Sequence, residues 1–362
     1  MSHSNRTRSI NLRPLGAGLL AMALMLPGVT NAQEKDSFRI AWSIYVGWMP
    51  WSYGDSAGIV DKWADRYDID IEVVQINDYI ESINLYTAGE FDGVTVTNMD
   101  ALAIPAASGV DTTLPIIGDF SNGNDGVVLK DTDDLTDIEG QRVNLVELSV
   151  SHYLLARALE SVGMSERDVS VVNTSDADIV GTFSTPEVTA AVTWNPQLSE
   201  LRAMPDANVV FDSSDIPGEI IDTLALNTET LEANPALGKA LTGAWYEIMA
   251  RMSGDDETAI EARTRMAEAA GTDRAGYEAQ LASTQMFYDA ADAVDFVTSD
   301  QPEATMDNVR QFAYDQGLLG ATAMSPDFVG IEFADGSVLG AENNVRLRFT
   351  AEYMEMAAED EL

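Results

Sequence analysis

Short β-branched apolar runs alternate along this chain with stretches whose apolar residues recur at helical spacing. Phe38–Trp42 reads as a buried strand, and Asp55–Tyr67 as a helix with Ile59, Val60, Trp63 and Tyr67 on one face. Gly47 and Pro50 fall between them and predict a loop carrying Trp48 and Trp51. Ile69–Ile76 alternates as a strand, and a helix with Ile80, Ile83 and Tyr86 inward follows until Gly89. Asp92–Thr97 and Leu114–Gly118 complete a first β-α-β-α-β series, with a helix entered at Asn98-Met99-Asp100. The pattern then restarts. Gln141–Glu147, Asp168–Asn173 and Val188–Trp194 read as strands, with helices entered at Ser149-Val150-Ser151, Thr174-Ser175-Asp176 and Asn195-Pro196. A further strand at Ile220–Leu226 precedes helices from about Thr230 to Leu318, a hairpin around Asp335-Gly336 and an acidic helical tail.

Such alternation predicts an α/β fold with doubly wound, mainly parallel sheets. The two halves also match each other. Val-Val-Gln-Ile-Asn77 parallels Val-Ser-Val-Val-Asn173, and Val-Thr-Val-Thr-Asn98 parallels Ala-Ala-Val-Thr-Trp-Asn195, at nearly equal spacing. Two copies of one unit predict two similar lobes. The polar segments Gly118–Gly126 and Ser213–Glu219 are the expected crossings, giving residues 33–118 to lobe 1, 119–218 to lobe 2 and 219–362 to lobe 1 again.

The first 32 residues stand apart. Arg6, Arg8 and Arg13 precede the apolar run Leu15–Leu26, and Thr30-Asn31-Ala32 fits a cleavage site, so they read as a signal peptide with Gln33 starting the mature chain. Twelve apolar residues are short for a bilayer span. With no cysteine, the chain has no disulfide, thiolate metal site or thiol for lipid attachment. A periplasmic protein is expected. The formal net charge is −40, with 60 acids against 20 Lys and Arg, and removing the leader makes it more negative. The acids are dispersed rather than gathered in a tail, and 46% hydrophobic content supports a packed core. This acidic, lysine-poor surface reads as halophilic and excludes nucleic acid and anionic membrane surfaces as partners.

Several stretches are similar to one family. Ala88-Gly-Glu-Phe-Asp92 and Asp137-Ile-Glu-Gly-Gln141 resemble ABC-transporter substrate-binding proteins of the nitrate/sulfonate/taurine type. Trp42–Trp51, Thr97–Leu102, Gly118–Asp125, Asn144–Tyr153, Asn173–Ile179 and Asn343–Arg346 resemble the subfamily encoded beside urea carboxylase genes. The resemblance implies a two-lobed type II periplasmic binding fold, monomeric, handing a small nitrogen-rich solute such as urea or guanidine to a membrane permease. Nitrate, taurine, another sulfonate or an amide are the alternative solutes. An enzyme is the alternative class, because a pyrimidine-synthesising enzyme shares this general fold. No Gly-x-Ser-x-Gly, Walker sequence or His-Glu-x-x-His is present, so no catalytic residue, metal ligand or cofactor is expected.

Residues just beyond strand ends and at helix starts face the cleft in such a sheet. From lobe 1 these are Trp48, Trp51, Asp78, Asn98 and Asp100; from lobe 2, Glu147, Ser151, Asp176 and Trp194; Asp119 sits at a crossing. Each helix-start aspartate has two readings, solute contact or N-cap. Glu147 is expected to end a buried strand, where an unpaired carboxylate is costly. Trp194 is expected as an apolar wall. His152 is expected to pack or cap, not to catalyse.

Overall fold

The computed structural model describes residues 35–362, so the expected signal peptide lies outside the described residues. The strands are β1 (Ser37–Trp42), β2 (Asp70–Gln75), β3 (Gly93–Thr97), β4 (Thr112–Ser121), β5 (Asp125–Lys130), β6 (Arg142–Leu145), β7 (Ser170–Asn173), β8 (Ala190–Trp194), β9 (Ala207–Asp212), β10 (Ile221–Asn227), β11 (Thr284–Met286), β12 (Gly330–Glu332), β13 (Val338–Leu339) and β14 (Val345–Phe349). They form two sheets. The first runs β13-β12-β14-β4-β10-β3-β1-β2, with β11 also on β4; the second runs β7-β6-β8-β5-β9.

The central orders β2-β1-β3-β10-β4 and β7-β6-β8-β5-β9 are the same arrangement built twice. In each, one strand is antiparallel to both neighbours: β10 against β3 and β4, and β5 against β8 and β9. Each of these is the first strand after the chain has crossed between lobes. The two crossings are short, residues 122–124 and 213–220, and each leads directly into one of these strands. No described helix is long and apolar enough to cross a membrane.

Helices cover both faces of the sheets. Pro235–Met252 buries Leu241, Trp245, Ile248 and Met249 in the lobe 1 core. Gly118 on β4 is required there, because the Trp245 ring lies 2.9 Å from where a Cβ would stand. The hairpin forms at Asp335-Gly336, with Ile331 opposite Leu339 and Gly336 at φ 82°. The tail helix runs Glu352–Ala358.

Three local expectations are corrected. The helix expected over Asp55–Tyr67 is two helices, Met49–Ser56 and Ile59–Arg66, broken at Gly58, which adopts φ 68°. Pro50 therefore opens a helix instead of breaking a loop, since its missing N–H costs nothing in the first turn. Trp51 goes with that helix into the core, 5.2 Å from Trp245. The polar segment Gly118–Gly126 is mostly strand, β4 running to Ser121 and β5 starting at Asp125. Lastly, β6 ends at Leu145, and Leu148 turns the chain with φ 65°, rare for a branched residue. Glu147 is exposed in consequence.

The acids that follow this fold are largely solvated, so repulsion is greatest when salt cannot screen it. From about 0.05 M to 1 M NaCl the Debye length shrinks from over 10 Å to about 3 Å. The melting temperature is expected to rise over that range by on the order of 5 °C. A flat or falling calorimetric curve would contradict the halophilic reading.

Candidate functional site

The C-terminal ends of the parallel strands in both sheets converge on one chamber. It is lined by Tyr45 and Trp48 after β1, Tyr79 after β2, Thr97 at the end of β3, Val150 after β6 and Trp194 at the end of β8. The antiparallel strands run the other way, so they enter at the chamber: Asp125 opens β5 and Asp222 is second in β10. The space open to the centre of a water molecule is about 10 Å³. That is close to the least that holds one water, so a solute of even a few heavy atoms requires the chamber walls to move apart.

Its walls are a chain of aromatic rings crossing between the lobes. Tyr45 meets Trp48 edge-on at 5.0 Å, Trp48 lies 5.6 Å from Tyr79, and Tyr79 meets Trp194 edge-on at 5.6 Å. These are favourable aromatic separations. All four rings are buried, and the Trp48 Nε1–H has no protein acceptor.

Behind and beneath the rings lie carboxylates. Asp100 accepts hydrogen bonds from the Tyr79 hydroxyl (2.7 Å), the Thr97 hydroxyl (3.0 Å) and the Val150 amide of the other lobe (3.3 Å). Asp119 accepts from the Tyr45 hydroxyl (3.0 Å), and Asp125 from Ser121 (2.5 Å). Asp119 and Asp222 are directly opposed across β4 and β10. Asp100 Oδ1, Asp119 Oδ2 and Asp222 Oδ2 are buried with no protein partner. Among the described residues, no lysine, arginine or histidine lines the chamber.

Burial is the main cause that raises all four acids. Asp100 is pushed up to about 6, with the Tyr79 and Thr97 hydrogen bonds opposing, and Asp119 and Asp125 to about 7. Asp222 is driven well above the carboxylate range by burial and then by its neighbours Asp119 and Asp125. Buried charges normally carry a partner of opposite sign. Here the protein supplies hydroxyl and amide donors and no cation. The arrangement can bind a small planar donor whose faces lie on rings and whose N–H groups reach carboxylate oxygens.

The sequence candidates divide accordingly. Trp48 and Trp194 line the chamber, and Asp100 and Asp119 stand behind it on Tyr79 and Tyr45. Asp100 is no N-cap; Thr97 caps that helix through the Asp100 amide, freeing the carboxylate to reach inward. Asp78 is the N-cap of Tyr79–Thr87, accepting from Glu81, and is exposed. It lines an outer cleft together with Glu147 and Asp176. Asp176 is not the N-cap of the helix Ile179–Phe183; burial and nearby Asp78 raise it to about 6, with backbone amides including that of Tyr79 opposing. Asn98 is structural: its side chain accepts from Ile221 and donates to the Glu219 carbonyl, pinning the second crossing. Ser151 is buried beside the chamber with its hydroxyl unpartnered. Trp51 belongs to the core. His152 accepts from the Leu148 amide at 3.1 Å and packs on Phe312. Tyr45, Asp125 and Asp222 were not among the sequence candidates; the available signal was an aspartate inside the apolar run Ile220–Leu226.

Comparison with known proteins gives both sequence and structural relatives. A family model described as NMT1/THI5 like matches residues 63–259. The taurine-binding periplasmic protein of Escherichia coli (strain K12) is 24% identical over 143 residues, which is 38% of this chain and 44% of that protein. The match thus spans less than half of the curated relative. The alkanesulfonate-binding protein SsuA from Xanthomonas axonopodis pv. citri, bound to MOPS, superposes with a TM-score of 0.65 at 17% identity, covering 82% of this chain and 99% of that one. The periplasmic nitrate-binding protein NrtA from Synechocystis PCC 6803 gives 0.55 at 12% identity, covering 90% and 99%. These structures share the two-lobed periplasmic binding fold with this chain.

Proposed function

The chain belongs to the NMT1/THI5-like family, and from that premise we propose that it is the periplasmic solute-binding component of an ABC importer. It closes its lobes around one small solute by hinge motion and presents it to a membrane permease. It performs no chemistry on the solute. The relatives named above bind taurine, an alkanesulfonate and nitrate, all small polar compounds, and their shared fold supports the carrier role.

The solute class differs from theirs in this reading. A sulfonate or nitrate wants helix N-termini and a basic residue. This chamber instead has Asp125 and Asp222 on its aromatic lining, with Asp100 and Asp119 behind it on the Tyr79 and Tyr45 hydroxyls. The observation that carries the proposal is that group of buried carboxylates with no basic side chain beside it. It supports a nitrogen-rich donor solute of the urea or guanidine class.

A thermal-shift panel of guanidinium, urea, taurine and nitrate, each in 1 M NaCl, tests the class. A ligand at a hundred times its Kd stabilises the native state by about 2.7 kcal/mol. Guanidinium or urea is expected to raise the melting temperature by about 5 °C or more, and the two anions to leave it unmoved. Stabilisation by taurine or nitrate alone would overturn the solute class and leave the carrier role standing.

A further inference from the structure

We propose that the chamber takes its solute as a cation in exchange for a proton held between Asp119 and Asp222, which selects guanidinium over urea. The inference rests on the solute class proposed above and adds the charge state in which that solute is bound.

The two carboxylates are paired residue for residue on adjacent antiparallel strands, so their side chains leave the same face of the sheet. Each keeps one buried oxygen without a protein partner. Two carboxylates this close share a proton, because both cannot be ionised together without a cation. The groups facing the pair from surrounding elements do not supply one. From the turn after β1 comes the Tyr45 hydroxyl, from β5 comes Asp125, and from the helix Arg274–Leu281 and the segment after β11 come Tyr277 and Tyr288. Asp125 in turn feels Asp100 and Asp212. Arg263, which acts on Tyr277 and Tyr288, is engaged elsewhere: it pairs with Glu278 at 2.9 Å and donates to the Met252 and Gly254 carbonyls. The other neighbours are neutral or acidic, and the raised Asp119 and Asp222 agree with a retained proton.

Guanidinium changes this balance. It enters already charged and stays so at any pH the protein survives. As its N–H groups approach the free oxygens, the carboxylic O–H bond breaks, its electron pair stays on the aspartate, and the proton leaves to the buffer. Charge in the chamber is conserved while a mobile proton is replaced by a planar cation against Trp48 and Trp194. Urea brings no charge, so it cannot displace the proton and meets one fewer free acceptor.

Isothermal titration of the whole protein with guanidinium chloride is the test, run in 1 M NaCl at pH 6.5 in phosphate and in bis-Tris, two buffers of different ionisation heat. Roughly one proton released per guanidinium is expected, together with affinity that strengthens about tenfold from pH 6 to pH 8. Asp222→Asn removes the shared proton and is expected to reduce the release to near zero. Identical heats in both buffers and equal affinity at pH 6 and 8 would overturn the exchange, with no variant needed. Urea binding more tightly than guanidinium would overturn the cation preference while sparing the solute class. Failure of both to bind, with taurine or nitrate binding instead, would overturn the class itself.

Discussion

Replacing Trp194 by alanine is expected to weaken guanidinium binding by roughly 30- to 150-fold, or about 2–3 kcal/mol. The indole ends β8 and is the aromatic wall contributed by lobe 2, meeting Tyr79 of lobe 1 edge-on. Its loss removes apolar surface from the solute and also the ring face that attracts a cation, so urea is expected to lose less than guanidinium. Trp194→Phe restores part of the effect. Trp51→Ala is the informative contrast: that side chain packs at a tilt against Trp245 in the core and does not line the chamber. Truncation there is expected to cost about 3–5 kcal/mol of stability while leaving the affinity of the folded molecules unchanged. Titration calorimetry in 1 M NaCl at pH 8, paired with thermal unfolding, separates the two variants. If Trp194→Ala binds like the parent protein, the solute does not sit between these rings.

Solute-free protein is expected to lose stability as pH rises from 5 to 8. The sign follows from the raised carboxyls. Asp119 and Asp125 sit at about 7 when folded, against an unfolded value near 3.9. Between those values the folded state holds protons that the unfolded chain has released. Unfolding therefore becomes easier with increasing pH, and the contribution that is complete below about pH 4 is gone above about pH 7. One such group spans about 2–3 kcal/mol between pH 5 and 7, and relaxation of the site reduces this for several acting together. Thermal unfolding in 1 M NaCl, which screens the surface acids, is expected to show the decline, and Asp222→Asn to flatten it. Saturating guanidinium is expected to restore more at pH 8 than at pH 5. A stability that is level or rising across this range would mean that the chamber acids are ionised in the empty protein. Guanidinium chloride cannot serve as the denaturant here, because it is also the solute.

Much of this architecture was legible because parallel strands announce themselves. Their β-branched runs, separated by helices with one apolar face, gave the two-lobed α/β fold, and the Asn77/Asn173 and Asn98/Asn195 correspondence pairs β2 with β7 and β3 with β8. Trp48 and Trp194 were found by the rule that ligands lie beyond strand C-termini. That rule points away from Asp125 and Asp222. Their strands are antiparallel, so it is the strand beginnings that open on the chamber. Nothing local in Asp125–Lys130 reveals its direction, which is set by long-range pairing with β8 and β9. Glu147 was misplaced for a different reason. Its neighbour Leu148 adopts a backbone conformation that leucine seldom takes, and the Leu148 amide is held there by His152. Trp51 followed from reading Pro50 as a breaker where it is a helix opener.

The two exchanged strands have a consequence for the order of events in capture. Asp125 and Asp222 lie at the starts of the two strands that follow the crossings between lobes, so a hinge at those crossings would leave them close to its axis. Rotation moves points near an axis very little. Tyr79 and Trp194, carried farther out on opposite lobes, separate when the cleft opens, whereas the acidic floor stays assembled. On the guanidinium reading proposed above, an arriving cation would meet the acidic floor first and the enclosing rings second. The encounter rate is governed by long-range charge and falls with ionic strength. The residence time is governed by the rings that have to part before release. On that reading the rings add to the hold without setting the speed of capture, so added salt would slow capture more than release.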